Sequence, residues 1–154
     1  MRVFSGAFED GGVIPAKYTC DGENIIPPIS ISDVPDDAKS LALVMDDPDV
    51  PLTVRQDGNF DHWIIWNIPP HVSLISEGRV PEGIEGKNTR GDNKYTGPCP
   101  PDREHRYFFK LYALDTELDL DPSTATKGDL QAAMDGHIIE TTQLMGRYDR
   151  RNRG

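Results

Sequence analysis

A chain of 154 residues suits one domain, burying roughly 70% of the surface that its unfolded form exposes. Its formal net charge of −10 argues against general nucleic-acid binding, which needs clustered Lys and Arg to displace counterions; the basic end from Arg147 to Arg153 reads as a solvated tail. No apolar run approaches the ~20 residues of a membrane span, the opening residues lack the apolar core of a signal peptide, and Met1 reads as the natural start, so a soluble, cytoplasmic protein without integral membrane association is expected.

Fourteen Gly and thirteen Pro suit a β-rich fold with many turns. Residues 1–30 read as turn-rich edge structure, broken by Gly11-Gly12, Pro15, Asp21-Gly22 and Pro27-Pro28. A short strand is expected over Ile29–Ser32. Ser40–Met45 reads as a buried strand by its length and continuous apolar content, stopped by Pro48 and Pro51, which displays the intervening carboxylates at the end of a core strand. His62–Ile68 is a second strong strand, closed by Pro69-Pro70. The thirty residues that follow carry little apolar content; a connection that long is commonly functional or holds short elements of its own, such as a strand near Ile84.

Tyr107–Leu114 is the third strong strand. It is entered from a loop, Tyr95-Thr-Gly-Pro-Cys-Pro-Pro101, whose backbone is restricted by proline. His105 and Tyr107 are two residues apart and so share a face of that strand. Ser123–Gly136 carries the one credible helix, with Thr126 and Asp129 placed as a capping box and Leu130, Ala133 and Met134 at helical spacing. Leu144–Tyr148 reads as a return to a final strand. Cys20 and Cys99 are too few for a disulfide framework and lack CxxC spacing; they read as two free thiols in a reducing compartment, with a single disulfide as the alternative.

Three polar clusters therefore stand at the ends of the three strongest strands: Asp47 with Asp49, His62, and His105 with Tyr107. Singly, His105 reads as structural and the aspartates as turn formers; together, on loops held by proline and glycine, they form a candidate pocket. Two His and a carboxylate are a known metal-ligand set, but no HxxxH or HExxH pair is present, and neither metal nor other cofactor is expected. Histidine and aspartate can move protons near neutral pH, but no GxSxG-type nucleophile occurs, so a hydrolase is the weaker alternative. A third chemistry is an anion pocket, with imidazole N–H groups, a tyrosine hydroxyl and loop amides as donors.

The motifs Asp47-Pro-Asp-Val-Pro51, Asp61-His-Trp-Ile-Ile-Trp-Asn67, Gly86-Lys-Asn-Thr-Arg-Gly91, Tyr95–Pro101 and His105–Asp115 occur in order across nearly the whole chain. With Tyr18-Thr-Cys-Asp-Gly-Glu23 and Leu144–Tyr148, they resemble the phosphatidylethanolamine-binding protein family, in particular its bacterial and archaeal Raf-kinase-inhibitor-like branch. The resemblance implies a mostly β fold: two antiparallel sheets packed face to face, with one or two short peripheral helices, in a single domain over residues 1–154. It also implies a small pocket for phosphate-like anions or phosphorylated headgroups, formed by Asp47, Asp49, Pro51, His62, Gly97, Pro98, His105 and Tyr107. Asp61 stands where animal members carry a second histidine, and the chain ends soon after Tyr148, so their C-terminal helix is not expected here. A non-enzymatic binding protein, monomeric or homodimeric, is the expectation. A protease or kinase inhibitor acting on a protein partner through surface loops is the alternative.

Overall fold

Apolar side chains alternating with a period of two build the centre of this molecule. The structure, a computed structural model, describes residues 1–152. Its strands are β1 (Arg2–Phe4), β2 (Ile29–Ser32), β3 (Ser40–Asp47), β4 (Phe60–Ile68), β5 (Leu74–Ile75), β6 (Ile84–Glu85), β7 (His105–Leu114) and β8 (Ile138–Tyr148), with the helix α1 (Lys127–Met134) before β8. They form two antiparallel sheets, one ordered β1-β2-β5 and the other β6-β4-β3-β7-β8.

β3 lies at the middle of the large sheet and is buried along its whole length. Leu41, Leu43 and Met45 point toward the small sheet, where Trp63, Ile65, Phe109 and Leu111 meet Val3, Ile29, Ile31 and Ile75 in the main core. Ala42 and Val44 point the other way, into a second core with Ile64, Trp66, Leu130 and Met134 beneath α1. Burial on both faces explains why this strand is a near-continuous apolar run. In α1, the Asp129 carboxylate accepts the Thr126 backbone N–H at 3.0 Å, as the capping box requires. The helix spans Lys127–Met134, shorter than the expected Ser123–Gly136, because Asp121 organises residues 121–125 into a turn by accepting from Ser123 and Ala125.

Two irregularities in β4 decide which side chains reach which face. Met45 pairs with Trp63, but the next residue, Asp46, pairs with Asp61, so His62 is an extra residue in its strand. This β-bulge reverses the alternation beyond Trp63: Asp61 turns outward, its carboxylate 2.7 Å from Lys127 Nζ on α1, and His62 turns to the inner face beside Tyr107. The second irregularity lies between Ile65 and Ile68, where Asn67 takes a positive φ of 55° and its side chain exchanges two hydrogen bonds with Leu118.

The free-thiol expectation is overturned. Cys20 and Cys99 form a disulfide with Cα atoms 5.5 Å apart, linking residues 79 positions apart in the chain. Proximity follows from the pairing of two loops, which separation along the sequence does not reveal. Among the described residues, no helix is long and apolar enough to cross a membrane.

Candidate functional site

Antiparallel pairing brings the end of β3 together with the beginnings of β4 and β7. A cavity of about 390 Å³ opens there. Asp47 from β3, Phe60 and His62 from β4, and His105 and Tyr107 from β7 form its sheet side; Asn24, Thr96, Gly97 and the Cys20–Cys99 cystine form the opposing wall. Val50, Val54, Pro100 and Pro101 add apolar lining, and the exposed Arg90 also borders the cavity.

Two loops are fastened to make that wall. The Gly97 N–H donates to Asn24 Oδ1 at 2.8 Å, Tyr95 Oη donates to the Tyr18 carbonyl at 2.7 Å, and the Cys20 N–H donates to the Pro98 carbonyl at 3.1 Å. Asn24 accepts this role with a positive φ of 58°, a conformation that asparagine tolerates better than most residues. Gly97 is required for closeness: a Cβ there would sit 2.3 Å from the Tyr18 carbonyl oxygen. His62 then grips the loop twice. Its carbonyl accepts the Thr96 N–H at 3.1 Å, and its ring Nδ1 lies 2.7 Å from the Thr96 carbonyl oxygen.

The two histidines differ in what they have left to offer. His105 is fully buried; Nδ1 lies 2.6 Å from Asp47 Oδ2 and Nε2 lies 2.7 Å from Asp102 Oδ1. Both nitrogens are thus spent on carboxylates. Burial pushes the Asp47 carboxyl above its ordinary value, against the pull of hydrogen bonds from His105 and the Asp49 N–H. Burial also raises Asp102, but the His105 bond and Arg103 outweigh it and leave that carboxyl low. In His62, burial pushes the ring down to about 4 despite the Thr96 bond and the charges of Asp61 and Asp46. A carbonyl can only accept, so Nδ1 carries the ring proton and Nε2 holds a lone pair; Nε2 makes no hydrogen bond to any described residue. Tyr107 is completely buried, its hydroxyl has no protein partner among the described residues, and burial drives its pKa upward.

Of the eight residues picked from the sequence, Asp47, His62, Gly97, His105 and Tyr107 line the cavity. Asp49, Pro51 and Pro98 lie outside its lining. Asp49 forks onto Arg106, with Oδ1 2.9 Å from Nη2 and Oδ2 2.9 Å from Nε, which fastens the loop after β3 to β7 and lowers its carboxyl. The carbonyl of Pro51 closes a turn by accepting from Val54 and Arg55. The expected donor set changes too: the Gly97 amide and both His105 nitrogens are occupied within the protein. Sequence reasoning missed Asn24, Thr96, Phe60 and Arg90. Arg90 and Thr96 carried a signal, their places inside the Gly86–Gly91 and Tyr95–Pro101 motifs.

The architecture is a β-sandwich with a largely apolar cavity, carrying a few polar groups, at one end of its large sheet. The profile described as phosphatidylethanolamine-binding protein matches residues 4–149. The chain is 51% identical over 150 residues to a UPF0098 protein of Chlamydia trachomatis, covering 97% of this chain and 99% of that one. It is also 51% identical over 156 residues to a UPF0098 protein of Methanothermobacter thermautotrophicus, covering 97% and 99%. Among solved structures, the phosphatidylethanolamine-binding-protein homologue CT736 of Chlamydia trachomatis matches with a TM-score of 0.93 and 51% identity, covering 96% of each chain. Escherichia coli YbcL, described as a member of the mammalian family of such proteins, matches with a TM-score of 0.85 and 28% identity, again over 96% of each chain. The chain belongs to the phosphatidylethanolamine-binding protein family.

Proposed function

We propose that this protein is a non-enzymatic binding protein whose cavity holds a phosphate-like oxyanion or a phosphorylated headgroup. One observation carries the proposal: the buried hydroxyl of Tyr107, a residue of the cavity lining, has no protein partner among the described residues, and His62 in the same lining keeps an uncommitted nitrogen. Leaving a buried polar group unpaired costs about 1–3 kcal/mol, and a ligand oxygen would recover it. Arg90 supplies a positive charge beside the cavity. The cystine fits a setting that keeps disulfides oxidised, and it removes free thiols as an argument for a cytoplasmic location.

Titrating phosphoethanolamine into the protein at pH 6, while following the His62 and His105 ring resonances, tests this function. Saturable shifts at His62, lost in Tyr107→Phe, are the expected result. A second function, regulation of a protein partner through surface loops, draws support from Leu52 and Val54, 70% and 63% exposed on the loop after β3. Unchanged ring spectra at millimolar phosphoethanolamine would contradict the pocket function and favour the surface one.

A further inference from the structure

Among the described residues, the inner end of the cavity offers one acceptor and one donor, and the exposed Arg90 is the cation that borders it. Nδ1 of His62 must carry the ring proton, because its partner is the Thr96 carbonyl oxygen at 2.7 Å. Burial keeps the imidazole neutral at physiological pH. Nε2 therefore presents a lone pair, which attracts an O–H group and repels an ionised oxygen. The Tyr107 hydroxyl, with ring centres 5.3 Å apart, supplies the donor. Asp47 faces His62 from β3, His105 and Tyr107 from β7, and Arg90 from the loop after β6, while the charges of Asp46 and Asp61 act on it from the α1 side of the sheet. His105 is tied between Asp47 and Asp102, so neither of its ring nitrogens is left for a ligand.

We propose that the pocket selects oxyacids that still carry a proton: a P–OH or C–OH donates to Nε2 of His62 while an oxo oxygen of the same group accepts from the Tyr107 hydroxyl. This rests on the cavity function proposed above and specifies its ligand chemistry. No proton is transferred and no bond is broken; the ligand keeps its proton in a hydrogen bond. A phosphate monoester in its monoanionic form satisfies both partners. Its dianion has no proton for Nε2 and meets the Asp47 carboxylate as a like charge. Sulfate has the right size and shape but carries no proton near neutral pH.

Calorimetric titrations with methyl phosphate, inorganic phosphate and sodium sulfate at pH 5, 6.5 and 8 separate the cases. Because phosphate monoesters lose their second proton near pH 6, methyl phosphate affinity is expected to fall about a hundredfold from pH 5 to pH 8. Inorganic phosphate keeps one P–OH throughout that range and is expected to weaken less than methyl phosphate. Sulfate is expected to bind at least tenfold more weakly than methyl phosphate at pH 5. In the methyl phosphate complex at pH 6, the His62 Nε2 nitrogen resonance should remain that of an unprotonated acceptor. Sulfate binding as tightly as methyl phosphate at pH 5, methyl phosphate affinity that ignores pH, or a protonated Nε2 in the complex would each overturn proton selectivity while leaving anion binding intact. No binding of any of the three at pH 5 would overturn the cavity function and this inference together.

Discussion

At the scale of single residues, His62 ties stability to pH. Its folded pKa of about 4 lies below the ordinary value of 6.5. Well above pH 6.5 the ring is neutral in both states and contributes no pH dependence. As pH falls from 6.5 toward 4, the unfolded chain takes up a proton that the folded ring refuses, removing up to about 3 kcal/mol of stability. Asp47, raised by burial, acts with the opposite sign and regains part of the loss as it protonates. Asp49, lowered by Arg106, contributes stability that is lost only below the ordinary carboxylate range, so its window is separate. Urea denaturation at pH 7 and pH 4.5 should show the wild type weakening toward acid and His62→Gln losing most of that slope. An unchanged slope in the variant would show that His62 is not the buried neutral base described here.

At the scale of elements, the loop from Tyr95 to Pro101 shapes the site by how it is fastened. The cystine closes a long stretch of chain, 79 positions between its ends, and removing such a bond costs about 2–5 kcal/mol. Gly97→Ala should cost about 1–3 kcal/mol through overpacking, because its Cβ would meet the Tyr18 carbonyl oxygen at 2.3 Å and Asn24 Oδ1 at 2.4 Å. It should also weaken phosphoethanolamine binding, since Thr96 next to it orients the His62 ring. Wild-type denaturation and binding curves for Gly97→Ala would contradict that fastening role.

Three of the four long strands were legible because their apolar runs are bounded by proline or charge: β3, β4 and β7 fall within two residues of the expected limits, whereas β8 starts at Ile138, well before the expected Leu144. β1 and β5, three and two residues long, were not, because at that length pairing partners decide the conformation and pattern does not. The bulge at His62 was equally hidden. Simple alternation places His62 on the face of Ile64 and Trp66, and only the register with β3 turns it toward Tyr107. Sharing of a face by His105 and Tyr107 was predictable, because no irregularity intervenes between them.

At the scale of the whole molecule, the sandwich supports the cavity from both sides of the large sheet. Below it, Lys127 of α1 reaches Asp61 at 2.7 Å and Asp46 at 3.3 Å, which ties the helix to the two strands that carry His62 and Asp47. Above it, the loops joined by Cys20–Cys99 form the wall opposite the sheet. The fold could be anticipated from motif order across the chain. The long-range partners of the site residues could not, since Thr96 and Asn24 come to His62 and to Gly97 only through tertiary contacts. A crystal structure grown at pH 5 with inorganic phosphate tests the central claim most directly. A phosphate within hydrogen-bonding distance of both His62 Nε2 and Tyr107 Oη is the expected result. A cavity without phosphate under those conditions, or a phosphate held only by surface residues away from Tyr107, would contradict it.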